Sequence, residues 1–171
     1  MVSQPTSVAD LQAQVARFLP DLVWDYADKD PLALTQLTQR IDATIRSKTT
    51  ITYTDLVAGI AFTLPTIENG TPFQIEQWNA RMGGIVGEFL QYIALHSFAG
   101  RGTLDSAVVV KNQTLKPQGK GGPRLSSGFF ELAEVLGLLV TGTPKHNRDF
   151  WKQELDFLYG SSSASMRVVP F

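Results

Sequence analysis

Few side chains in this sequence are spaced for chemistry. The two histidines, His96 and His146, lie 50 positions apart. A Ser–His–Asp system holds its imidazole between a nucleophile and an acid. Neither histidine sits in a nucleophile-elbow context, and 50 residues is no zinc-ligand spacing. There is no cysteine. That excludes disulfides, thiolate metal sites and a thiol nucleophile. Four acids, Asp21, Asp25, Asp28 and Asp30, surround the Trp24–Pro31 segment. Clustered carboxylates can hold Mg²⁺ or Ca²⁺. This cluster lacks the glycine of a calcium-loop turn and its closing Glu, and a helix end followed by an acidic turn accounts for it better. No metal and no cofactor is expected, and the balance leans away from an enzyme.

The other charge feature is basic. Lys111, Lys116, Lys120 and Arg124 fall in one acid-free stretch that contains Gly119, Gly121 and Gly122. A phosphate-cradling loop needs GxxxxGK and Ser or Thr, opening directly into a helix. Gln118-Gly119-Lys120-Gly121-Gly122-Pro123 does not fit, which removes nucleotide hydrolysis. A single-sign loop can instead be the electrostatic footprint of a polyanion, or a solvated loop. The chain's net charge is −1. Residues 1–100 hold six Lys/Arg against ten Asp/Glu, and residues 101–171 hold nine against six. The positive charge therefore gathers in the second part.

These residues must be positioned by elements that periodicity places. Ser7 caps a helix bearing Leu11, Val15, Phe18 and Leu22, interrupted at Pro20. A second helix, from Pro31 to Ser47, carries Leu34, Leu37, Ile41 and Ile45, with Pro31 in its first turn. Together they predict a helical hairpin over residues 8–47. Thr52 caps a brief helix over Tyr53–Phe62, with Asp55 in the capping-box position. Residues 63–78 read as a connection punctuated by Pro65, Asn69-Gly70 and Thr71-Pro72. Trp78 at its end is a core plug or a stacking, partner-anchoring aromatic.

A long amphipathic helix is expected over Asn79–His96, with Met82, Ile85, Val86, Phe89, Leu90 and Ile93 on its buried stripe. Arg81 lies outside that stripe. Gly83, Gly84 and Gly87 point to close packing by another element, or to a backbone that a phosphate can approach. Gly100-Arg101-Gly102 ends the helix, and Leu104–Val110 reads as a buried strand. A helix over Phe129–Leu139 ends at Gly142 and Pro144, and the last helix covers Asn147–Tyr159. Residues 160–171 are a Gly/Ser-rich stretch, with a tail over 161–171 whose apolar end, Val168, Val169 and Phe171, is suited to docking on the body or on a partner.

The composition, 43% hydrophobic and 18% charged, fits an ordinary globular domain of this length. No apolar run approaches a membrane span of about 18 residues. The first residues lack the basic and apolar regions of a secretory signal. A cytoplasmic address is expected.

The phrase Ile51-Thr52-Tyr53-Thr54-Asp55-Leu56, the helix through Gly87 to His96, the stretch Leu104–Val110 and Gly128-Phe129-Phe130 resemble a family of small prokaryotic domains. These carry a "TITYGELA" opening, a helix like "LGLIQDYC", a strand like "LTILVVNK" and a closing "GF", alone or beside HNH-type endonucleases. More distantly, the order is similar to the DNA-binding domain of the O6-alkylguanine alkyltransferases, whose reactive cysteine segment is absent here.

The resemblance implies a winged-helix-like core over residues 49–130. The expected fold is α+β, mainly α, in one globular domain over residues 1–160. The N-terminal hairpin and C-terminal helices over 131–160 flank the core. The function expected is a non-catalytic DNA-binding or DNA-associated module contacting duplex DNA through Arg81, Arg101, Lys111, Lys116, Lys120 and Arg124. The alternative is a protein-interaction adaptor that binds its partner through Trp78, Val168, Val169 and Phe171.

Overall fold

The fold is taken from a computed structural model and described for residues 7–111, 125–139 and 144–160. It is mainly helical with one two-stranded sheet, in the α+β, mainly α class. The helices are α1 (Val8–Phe18), α2 (Pro31–Arg46), α3 (Tyr53–Val57), α4 (Ala80–Arg101), α5 (Ser127–Val135) and α6 (Pro144–Leu158). The strands are β1 (Ile51–Thr52) and β2 (Val109–Val110), paired in parallel with Ile51 opposite Val109 and Thr52 opposite Val110. No described helix is long and apolar enough to cross a membrane.

Local chemistry fixes most helix starts. Ser7 accepts the Asp10 amide, Thr52 accepts the Asp55 amide and Asn79 accepts the Met82 amide. Asp30 does the same for Ala33 at the start of α2, with Pro31 next to it. The Pro20 break appears as a 3₁₀ turn over Leu19–Asp21, and Phe18 and Leu22 beside it stay exposed. The expected 53–62 helix stops at Val57, because Gly59 adopts a positive φ of 71°. Pro144 opens α6 rather than closing the preceding helix. That helix, α5, ends at Val135, and Gly137 turns the chain at φ 75°.

At the centre is α4, 22 residues or about 33 Å long. It runs past His96 to Arg101 and stops at Gly102, whose φ of 73° allows its amide to reach the Phe98 carbonyl. Ile85, Val86, Phe89, Leu90, Ile93, Ala94, Leu95 and Phe98 are all buried, covering most of its circumference. The expected hairpin is not zipped on itself. Instead α1 packs chiefly on α4, and α2 packs on the 105–108 turn and α3.

The 104–110 segment is buried as its composition predicts, but only its end is a strand. Asp105–Val108 form a 3₁₀ turn, and Val109 and Val110 alone find ladder partners. The partner strand is short because Thr52 already caps α3. Helix α6 holds the turn. Buried Glu154 accepts the Leu104 amide at 3.2 Å, and the Trp151 indole donates to the Ala107 carbonyl at 2.8 Å.

The 61–79 connection is packed. Phe62 and Phe73 exchange backbone hydrogen bonds at 2.7 and 2.9 Å, and Phe62 stacks on Phe73 and meets Phe89 edge-on. Leu64 and Ile67 are fully enclosed. The second oxygen of Asp30 accepts the Thr63 amide at 2.6 Å and ties this loop to the start of α2.

The acidic turn is held by an acid from elsewhere. Glu88 of α4 accepts the amides of Asp25, Tyr26 and Ala27 at 2.7, 2.6 and 2.9 Å. A hydrogen bond to a charged group contributes about 1.5–3 kcal/mol, and removing the acceptor strands its donors. Glu88→Ala is expected to lower stability by about 3 kcal/mol in urea unfolding, with Glu88→Gln intermediate. A loss below about 0.5 kcal/mol, the range of an ordinary surface substitution, would show that the turn is held by other contacts.

Candidate functional site

The described residues enclose one mostly apolar groove of about 460 Å³. Each element of the core supplies a part. The junction of β1 and α3 gives Tyr53, and the end of the 61–79 connection gives Trp78. Helix α4 gives Gly83 and Gly87, one turn apart. The residue after β2 gives Lys111, and the start of α5 gives Ser126 and Gly128. A smaller pocket continues inward to Leu90, Gln91, Val109 and Leu132.

The walls are fixed. The Trp78 indole N–H donates to the Thr54 hydroxyl at 3.1 Å, and its ring meets Tyr53 edge-on at 5.9 Å. Trp78 is still 38% exposed. Tyr53 lies beside Ser126, the N-cap of α5, whose hydroxyl makes no capping bond. Burial raises the Tyr53 pKa, and Ser126 opposes that shift. The phenol stays neutral at physiological pH.

The floor differs from the expected close packing. A Cβ built on Gly83, Gly84 or Gly87 would meet no described atom within 4 Å. Among the described residues, no element packs against these glycines, and that face of α4 is bare.

The structure brings together only some of the expected contact residues. Trp78 and Lys111 line the groove. Arg81 is exposed on α4 but lies two residues, about 200°, around the helix from Gly83. Arg101 is 20 residues further along, about 30 Å away, and is ion-paired with Asp105. Lys116, Lys120, Arg124, Val168, Val169 and Phe171 lie outside the described residues. Sequence reasoning took Tyr53 only as a helix start and gave Ser126 no part in a site. Nothing local marks them as neighbours, because their meeting depends on β1 and α5 converging on α4.

A second polar cluster surrounds Asp105, which is 2% exposed. Its carboxylate accepts from Thr103 at 3.0 Å and from Arg101, and its amide donates to Ser97 at 3.1 Å. It borders a cleft of about 330 Å³ that also contains Asp42 and Arg46. Burial pushes the Asp105 pKa up. Arg101, Thr103 and Ser97 oppose that shift, and Asp42 adds to it. His96 stacks on Tyr92 at 4.1 Å, and partial burial lowers its pKa. His146 is exposed on a different helix, α6.

No protein family, curated protein or solved structure matches this chain.

Two predictions test these features. An α4 glycine costs about 0.5–1 kcal/mol relative to alanine, and the Cβ site at Gly83 is open. Gly83→Ala is therefore expected to raise stability by about that amount in thermal or urea unfolding. A loss would mean that something fills the bare face. For Asp105, the folded-state pKa lies above the unfolded one. Its stabilising contribution is complete below the ordinary aspartate value and is lost as pH rises through the raised folded value. Asp105→Asn should gain on the native chain across that window when urea midpoints are compared at several pH values. A difference that stays flat with pH would refute the shift.

Proposed function

We propose that this chain is a non-catalytic, DNA-associated binding module on a winged-helix-like core, with the loop after β2 as its basic wing. One observation carries this reading: the acid-free basic stretch leaves and re-enters the described fold at one groove. It begins at Lys111 on the rim, and Ser126, just past Arg124, lines the same groove. Both roots of the loop thus lie at one groove, and in this reading its cations act from there. In this reading the loop contacts phosphates, and Arg81, about 200° around α4 from Gly83, lies off the groove and has a weaker part. Arg101 has a weaker part because Asp105 already neutralises it.

The apolar lining of the groove and the exposed Trp78 favour a second reading, a protein-interaction adaptor or subunit.

Fluorescence anisotropy with labelled duplex DNA at about 50 and about 200 mM salt separates the two readings. DNA binding should weaken with salt by about one log–log unit per phosphate contact. Combined charge reversal at Lys116, Lys120 and Arg124 should cut affinity at least about tenfold at the lower salt. Unchanged affinity in that variant overturns the wing. No binding at either salt overturns the DNA reading and leaves the adaptor.

A further inference from the structure

We infer that the groove takes an unpaired nucleobase, so that the chain prefers DNA with a short single-stranded gap over an intact duplex. The inference rests on the DNA-associated reading above and adds the form of DNA recognised. Three features carry it.

The first is size and shape. A groove of about 460 Å³ holds the liquid volume of about fifteen waters. That is ample for one base and far too small for a double helix. Its floor is the bare backbone at Gly83 and Gly87, where no Cβ lifts a flat ring off the helix.

The second is the wall. Bases stack on aromatic side chains at about 1–3 kcal/mol each, without regard to sequence. Trp78 is exposed enough to stack, and its ties to Thr54 and Tyr53 hold the ring in place before a ligand arrives. Little side-chain freedom is then lost on binding.

The third is charge. The interior is apolar and its rim carries Lys111, which suits a base inside and its phosphate outside. An apolar side chain of a protein would fill the same interior but gives the rim lysine no partner. Tyr53 and Ser126 also line the groove, and each brings a hydroxyl that can donate or accept a hydrogen bond.

The test compares an intact duplex with the same duplex carrying a gap of a few nucleotides, by anisotropy and intrinsic fluorescence. Trp24 is buried and the Trp151 indole is bonded to the Ala107 carbonyl, so Trp78 is the tryptophan placed to report stacking. The native chain should bind the gapped DNA about tenfold more tightly than the duplex and lose fluorescence on doing so. Gly87→Leu fills the groove from a helical position with open space around it, so the fold is retained. Gly87→Leu should erase both the gap preference and the fluorescence change, and Trp78→Ala should erase the gap preference read by anisotropy. Charge reversal at Lys111 should weaken both DNAs.

Equal affinity of the native chain for the two DNAs overturns the inference and leaves the DNA-associated reading standing. So does a gap preference that survives Gly87→Leu. Failure to bind either DNA at low salt overturns both.

Discussion

A single carboxylate, Glu88, decides how the N-terminal third meets the rest of the chain. Three successive amides, from Asp25 to Ala27, converge on its two oxygens. An amide run left unbonded in a half-buried turn is costly. The turn sits in an otherwise acidic stretch, where a further carboxylate would normally be repelled. The backbone dipoles overcome that repulsion because they point straight at the oxygens, whereas the side chains of Asp25 and Asp28 face solvent. With the turn held, α1 lies along α4, and Asp30 stands where it can both cap α2 and hold the 61–79 connection at Thr63.

The same helix that carries Glu88 also sets the groove. α4 is enclosed around most of its circumference, which fixes its position from several directions. A helix so constrained can leave its Gly83–Gly87 side uncovered without drifting. The groove is therefore a by-product of rigidity elsewhere: β1, β2 and the start of α5 are placed by their own contacts with the core, and α4 closes the space between them. Asp105 makes a parallel point at the far end of α4. It is a buried acid whose cost is offset by Arg101, Thr103 and Ser97, and it fixes the path from the end of α4 into β2.

Elements defined by neighbours in sequence were legible from the sequence. Ser7 and Thr52 cap the helices they precede, and Pro31 opens α2, because these signals lie within three residues of the helix start. The apolar stripe of α4 was legible for the same reason. Long-range pairing was not. The apolar run Ala107-Val108-Val109-Val110 signals burial, yet how much of Leu104–Val110 becomes strand depends on a partner that Thr52 cuts short by capping α3. The glycines of α4 were visible, but whether they admit another element or face open space is a property of what lies opposite them. Glu88 carries no local mark of its role, since its three partners are about 60 residues away. Trp78 carried two readings, and its bond to Thr54, 24 residues away, and its exposure are likewise long-range properties.

The open glycine floor also bears on how such a chain can diversify. In most binding sites, reshaping the cavity disturbs packed neighbours, so a new preference is bought with tolerance to heat. At Gly83 and Gly87 the two properties are uncoupled, because a side chain added there displaces nothing described and relieves a backbone that is unusually free when unfolded. Descendants of this sequence could explore narrower, shallower or differently shaped grooves one substitution at a time, each at least as robust as its parent. The same freedom makes the persistence of glycine at these positions across relatives a direct gauge of whether selection acts on the opening itself.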